Sequence, residues 1–357
     1  MDQAANGVEL FVPGRLCLFG EHSDWAAQFG MHNGYCLVTG TDQGLRAVAR
    51  RSETFDVAAR VPDSLGRPHG PMQHASWGWD AEALQEAAGD NNEFFRYCAG
   101  TAHEMLAHPG VTGGIEIEIF DMDLPLRKGV ASSAAVCILV AKAFDAVYDL
   151  GLFPHELMDI AYRGERQTGS QCGRMDQACI YGKLPVLLTF SKDQPVRVEP
   201  SFPGGRIDMF FVDLAGRKDT VKILSDLRNA YPASQRLQEA LGEANERIVR
   251  KAHRALIRGD AAALGAAMTQ AQQVFDESVA PESPVALASP RLHELLDFAD
   301  IAGNVHGGKG VGSQGDGTAQ FVARSPADRS AAMEKIAAAF KEMNCFELTI
   351  GPQAGES

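Results

Sequence analysis

The sequence predicts an α+β protein of two domains. Its 357 residues exceed what one hydrophobic core organises, strand-like and helix-like segments interleave along the chain, and a proline-bearing stretch, Ser191 to Gly205 with Pro195, Pro200 and Pro203, interrupts them. That break gives an N-terminal domain of residues 1–195 and a C-terminal domain of residues 205–357. A composition of 45% hydrophobic and 22% charged residues is that of an ordinary globular chain.

The opening is β-rich. Glu9 to Val12 and Leu16 to Phe19 read as short strands joined by Pro13-Gly14, and Tyr35 to Val38 and Leu45 to Arg50 continue them, punctuated by Gly40 and Gly44. Residues 52–80, with Pro62, Pro68 and Pro71, have no clean period and read as a loop-rich excursion. Asn92 to Ala107 has helical spacing. From Gly114 to Phe120, Ile115, Ile117 and Ile119 alternate with Glu116 and Glu118, the pattern of a half-exposed strand. A greasy run from Val130 to Val147 is a core helix; its two serines, Lys142 and Asp145 exclude a membrane span. His155 to Arg166 reads as a further helix and Leu184 to Phe190 as the strand closing the first half. Past the break come a strand at Met209 to Val212 and helical runs at Ser234–Ile257, Ala261–Val274 and Pro290–Ala302. A glycine-rich loop, a strand (Thr318 to Val322), a helix (Pro326 to Met343) and a strand (Phe346 to Ile350) end the chain.

Charge and cysteine content narrow the function classes. A net charge of −13 with no basic block disfavours nucleic acid or an anionic membrane as partner. Met1 to Leu10 lacks the basic and apolar regions of a signal peptide. Seven cysteines without a Cys-x-x-Cys pair suit free thiols in a reducing cytoplasm rather than disulfides or zinc.

Four segments carry the chemistry. Asp123-Leu-Pro-Leu-Arg-Lys-Gly-Val-Ala-Ser-Ser-Ala-Ala135 empties a Pro/Gly/Ser turn into the core helix, where unpaired N–H groups and the positive helix end converge. By itself this is equally a serine-capped helix or an anion cradle. It lacks the Gly-x-x-x-x-Gly-Lys-Ser/Thr spacing of the Walker loop. The other segments are Pro13-Gly-Arg-Leu-Cys-Leu-Phe-Gly-Glu-His-Ser-Asp24, Cys172-Gly-Arg-Met-Asp-Gln177 and Gly307-Gly-Lys-Gly-Val-Gly-Ser-Gln-Gly-Asp-Gly317. Each sets flexible glycine beside charged side chains.

Together these segments resemble the small-molecule kinases that include galactokinase, homoserine kinase, mevalonate kinase and phosphomevalonate kinase, the GHMP kinases. The Pro13 to Asp24 segment is similar to the galactokinase pattern Pro-Gly-Arg-x-x-x-x-Gly-Glu-His-x-Asp; Pro125, Gly129, Ser132, Ser133 and Ala134 meet the pattern Pro-x-x-x-Gly-x-x-Ser-Ser-Ala. The resemblance implies an N-terminal ribosomal S5 domain 2-like α/β domain and a C-terminal ferredoxin-like domain. It implies ATP and Mg2+ as cofactors, a monosaccharide as the partner substrate, and transfer to its anomeric hydroxyl.

By the same resemblance, Pro125, Lys128, Gly129, Val130, Ala131, Ser132, Ser133 and Ala134 hold the ATP phosphates. Ser133 and Glu165 hold the metal, a hydroxyl and carboxylate set suited to a hard ion. Asp176 is the catalytic aspartate and Arg15 its cationic partner. Glu21, His22, Asp24, Gly173 and Asp176 face the acceptor, and carboxylates suit the hydroxyls of a polyol. The glycine segment departs from the family pattern at Val311, Ser313, Gln314 and Asp316. Two other functions fit the same residues: a kinase for a non-sugar alcohol, and a kinase-derived sugar sensor without turnover.

Overall fold

A computed structural model describes residues 7–61, 71–91, 94–124 and 131–352. Pro125, Lys128, Gly129 and Val130 therefore lie outside the described residues, as do residues 62–70 of the expected excursion. The chain opens with β1 (Val8–Phe19), α1 (Ser23–Ala26), β2 (Gly34–Ser52), β3 (Phe55–Arg60) and β4 (Met72–Trp77). Next come α2 (Ala81–Gly89), α3 (Phe95–Leu106), β5 (Gly114–Met122), α4 (Ser132–Tyr148) and α5 (Pro154–Gln167). Strands β6 (Val186–Phe190), β7 (Arg197–Pro200) and β8 (Ile207–Asp213) lead into helices α6 (Thr220–Ala230), α7 (Gln235–Glu239), α8 (Asn245–Arg258), α9 (Ala261–Ser278) and α10 (Pro290–Leu296). The end is β9 (Val305–Gly310), β10 (Thr318–Ala323), α11 (Pro326–Ala339) and β11 (Asn344–Ile350).

The described residues form two compact units. One holds those up to Arg15 and Gly40–Gly182; the other holds Leu16–Thr39 and those from Lys183 on. The chain passes from one unit to the other inside β1, inside β2 and after Gly182.

In the first unit the sheet runs β4-β3-β5-β2. Strands β3 and β5 are parallel, from Asp56 opposite Glu116 to Ala59 opposite Ile119; β3–β4 and β2–β5 are antiparallel. The alternation in β5 does what its period requires, burying Ile115, Ile117 and Ile119 while Glu116 stays exposed. Helix α4 is buried at every position from Ala134 to Ala141, as a helix apolar all round must be. Helix α5 starts where Pro154 meets the preorganised first-turn φ and the Glu156 carboxylate accepts from Phe153 N at 2.8 Å.

In the second unit β8–β11 form an antiparallel sheet of order β11-β8-β10-β9. Numbered from β8 this is fourth, first, third, second, the order of a ferredoxin-like fold. Phe210, Val212, Leu292, Phe321 and Ile336 form its core. The first residues of β2 pair with β6, and β6 with β7. A separate apolar cluster of Trp25, Leu227, Tyr231, Leu237 and Phe275 lies under the helices. Asp219, Asp260 and Ser325 cap α6, α9 and α11 by accepting from Lys222 N, Ala263 N and Asp328 N.

The two short opening strands are in fact one. Every residue from Val12 to Phe19 is buried, and that burial overrides the Pro13-Gly14 turn signal, since proline at an extended position costs one ladder donor and no strain. The excursion at 52–80 likewise contains a hairpin: β3 and β4 pair from Phe55 opposite Trp77 to Arg60 opposite Met72. Trp77 stacks on Phe55 and Trp79 on Phe144, with ring centroids 5.6 and 5.1 Å apart. Among the described residues no helix is long and apolar enough to cross a membrane.

Candidate functional site

In the first unit, Arg15 on β1 forms an ion pair with Asp176. Arg15 is buried, and Asp176 keeps 24% of its side chain exposed at the start of a 3-10 turn, Asp176–Tyr181. These residues are separated by 161 positions. A guanidinium enclosed in protein is costly unless a carboxylate meets it. The half-buried Gly173 lies in the irregular segment that delivers Asp176.

The start of α4 supplies the second element. Ala131 adopts φ 57°, a left-handed backbone rare for alanine, and the first intrahelical acceptance here is Ala135 N donating to Ala131 O at 3.0 Å. The N–H groups of Ser132, Ser133 and Ala134 thus point out of the first turn of a 17-residue helix, at its positive end. Ser133 Oγ donates to Glu165 Oε1 at 2.8 Å. Glu165 is 2% exposed and also accepts from Gln177 Nε2 at 3.0 Å and Ser170 Oγ at 3.3 Å. Burial first, and then the charge of Asp176, push its carboxyl up to about 7, against the three hydrogen bonds. A buried carboxylate next to a second carboxylate is the electrostatic setting that a divalent cation relieves. Serine hydroxyl and carboxylate oxygen are donors that Mg2+ accepts, so the residues fit that ion.

Gln177 and Ser170 had no role in the sequence reading. The only signal was adjacency: Gln177 follows Asp176, and Ser170 lies in the same loop.

In the second unit the segment after β1 turns inward. Gly20 has φ 96°, and a Cβ there would stand 2.0 Å from the Tyr35 carbonyl oxygen, so no other residue fits the turn. Glu21, His22, Ser23 and Asp24 are all buried. Ser23 Oγ donates to Gly20 O at 2.8 Å, tying the turn to α1. Glu21 is paired with Lys309 of β9. His22 has φ 68° and accepts from Trp25 Nε1 at its Nδ1, 3.0 Å away, while its ring stacks on Phe275. With Nδ1 accepting, the neutral ring carries its proton on Nε2. Burial lowers its pKa to about 3. Lys218, Arg228 and Lys309 push the same way, and the Ser313 backbone opposes them.

That shift gives the His22 environment a pH signature. The unfolded ring titrates near 6.5 and the folded ring far below, so between those values only the unfolded chain takes up the proton, and stability falls as pH falls. His22→Asn, which tolerates the left-handed backbone, is expected to cost stability at pH 7 and to cost about 2 kcal/mol less at pH 5. Urea midpoints of both proteins at the two pH values measure this. A gap that does not narrow shows that the folded chain takes up the His22 proton as readily as the unfolded one, contrary to its burial.

Comparison with known proteins places these two clusters in context. Residues 96–183, which carry Ser132, Ser133, Glu165, Gly173 and Asp176, match the GHMP kinases N terminal domain. Over almost its whole length the chain has the fold of galactokinase from Lactococcus lactis, solved in complex with galactose. The TM-score is 0.73 at 17% identity, covering 99% of this chain and 96% of that one. Mevalonate kinase from L. major, solved with R-mevalonate, gives a TM-score of 0.71 at 18% identity, covering 98% and 97%. Residues 96–183 are similar in sequence to the GHMP kinases, and the chain shares their fold. The galactokinase of Chloroflexus aurantiacus is 29% identical over 168 residues, 46% of this chain and 38% of that protein. The galactokinase of Chloroflexus aggregans is 23% identical over 334 residues, 84% and 80% of the two chains. The ferredoxin-like strand order and the mixed sheet of the first unit are the two-domain fold of GHMP kinases.

Proposed function

We propose that this chain is an ATP- and Mg2+-dependent sugar kinase of the cytoplasm that moves the γ-phosphoryl group of ATP to the anomeric hydroxyl of a monosaccharide. The observation that carries the reading is the Arg15–Asp176 pair, electrostatically coupled to the buried Glu165 in a relative of galactokinases. Nucleic acid and membrane have no part in it. Residues 1–195 are the proposed nucleotide domain and residues 205–357 the second domain.

Each residue has a task. The N–H groups at the start of α4 face the phosphates. Bound by Ser133 and Glu165, Mg2+ would neutralise charge on the phosphate oxygens. Glu21, His22 and Asp24 orient the acceptor. Asp176 takes the proton of the attacking hydroxyl as the new O–P bond forms and the bond to ADP breaks, and Arg15 fixes Asp176 while offsetting negative charge around the transferred group.

The test is a screen of neutral aldoses, uronic acids, homoserine and mevalonate, read as ATP consumption. A monosaccharide is expected to be turned over and its product to lose reducing-sugar reactivity, because the phosphate blocks the anomeric carbon. Preference for homoserine or mevalonate sinks the sugar reading. A reducing product sinks only the anomeric assignment. Tight sugar binding without ADP release identifies a sensor.

A further inference from the structure

Lys309 is 1% exposed, one of the largest side chains sealed in the second unit. A buried ammonium is costly unless charge and hydrogen bonds meet it, and both do. Its Nζ donates to Glu21 Oε1 and to the Gly310 carbonyl, the latter at 2.6 Å. Gly310 N in turn donates to Gln272 Oε1 on α9 at 2.8 Å, and Gln272 Nε2 donates to Asp276 Oδ1 at 2.8 Å. On the sheet Lys309 lies opposite Gln320 of β10, whose amide donates to the Cys17 carbonyl of β1 at 2.7 Å. One cross-strand pair therefore holds Cys17 near the end of β1 with Gln320, and Glu21, four places beyond Cys17, with Lys309.

A buried ion pair contributes little net stability compared with apolar residues of the same volume, so stability alone is a poor reason for this arrangement. Its geometry gives a better one. Glu21 is one of the carboxylates proposed above to meet the acceptor hydroxyls, and the pair fixes where that carboxylate stands. We infer that Lys309 is the positioning residue of the acceptor site, and that the divergent glycine segment from Gly307 serves the acceptor through Glu21. This rests on the kinase reading above, though not on which alcohol is the acceptor.

The experiment is a double-mutant cycle on the full chain, using the best acceptor found in the screen. Lys309→Met and Glu21→Gln are each expected to raise the acceptor KM by about 30-fold or more, the penalty of breaking a buried charge pair, with the ATP KM within about threefold. The double variant should be no worse than Glu21→Gln alone, and Lys309→Arg should recover most of the loss, because arginine still meets the carboxylate. Thermal unfolding of all four variants separates misfolding from misplacement, and the arginine and double variants keep the cycle readable if Lys309→Met does not fold. Losses that multiply in the double variant, or ATP and acceptor KM rising together, overturn the inference. Turnover of a non-sugar alcohol sinks the sugar reading and leaves this cycle intact. If no alcohol is turned over, sugar binding by calorimetry replaces KM, and additive losses there overturn it equally.

Discussion

Asp176→Asn is expected to reduce kcat by about a thousandfold or more and to leave the affinity for ATP within about threefold. The amide has the shape of the carboxylate and still offers an oxygen to Arg15, so the geometry around the 3-10 turn survives, but it cannot take a proton. Arg15 then faces a neutral partner while remaining buried, which should lower the thermal midpoint modestly. Steady-state turnover, nucleotide binding by calorimetry and a melting curve on the same preparation check the three parts. Turnover within tenfold of the parent removes Asp176 from catalysis. Equal loss of nucleotide binding would instead mean that the pair supports the fold.

Much of this was legible because the motifs are local while the contacts are not. Arg15 and Asp176 were named from separate segments, and the structure closes the distance between them. Ser133 and Glu165 are joined in the same way. Composition and period also served in β5, where one face is buried, and in α4, where the apolar run is long enough for a helix buried all round. They failed where a turn signal competed with burial or the apolar stripe was narrow. At Pro13-Gly14 a local turn signal lost to eight consecutive buried residues. The hairpin of β3 and β4 was hidden because proline and glycine crowd its connection. Helix α6 was missed because only Ile223 and Leu227 of its eleven residues are buried, too few for a period to stand out.

The chemistry hidden from the sequence consists of long-range polar partners. Glycine spacing drew attention to the backbone of 307–317, and nothing in that spacing says that the lysine inside it reaches Glu21, 288 positions away. Such a contact is fixed by strand register, since Lys309 lies across from Gln320, and register emerges only when the sheet forms. Gln177 shows the same limit on a shorter range: its place next to Asp176 was visible, its donation to Glu165 was not.

Glu165→Gln should move activity and stability in opposite directions. The carboxylate is 2% exposed, raised to about 7 by burial and by Asp176, and those are costs the folded chain bears in the absence of a cation. Glutamine keeps the volume and can still meet Ser133 and Gln177 through its amide, without a buried charge to desolvate. The metal-free variant is therefore expected to melt a few degrees higher than the parent at pH 8. As a neutral ligand it holds a hard cation poorly, so turnover should fall by about a hundredfold and the Mg2+ concentration for half-maximal rate should rise. Ser133→Ala, which removes a hydroxyl and no charge, should show the same shift in Mg2+ requirement with little gain in melting temperature. Melting curves in chelator and rates across an Mg2+ titration distinguish the two variants. If Glu165→Gln melts lower than the parent and keeps its Mg2+ requirement, Glu165 is a structural hub for Ser133, Ser170 and Gln177, and its buried charge serves the fold instead of the metal.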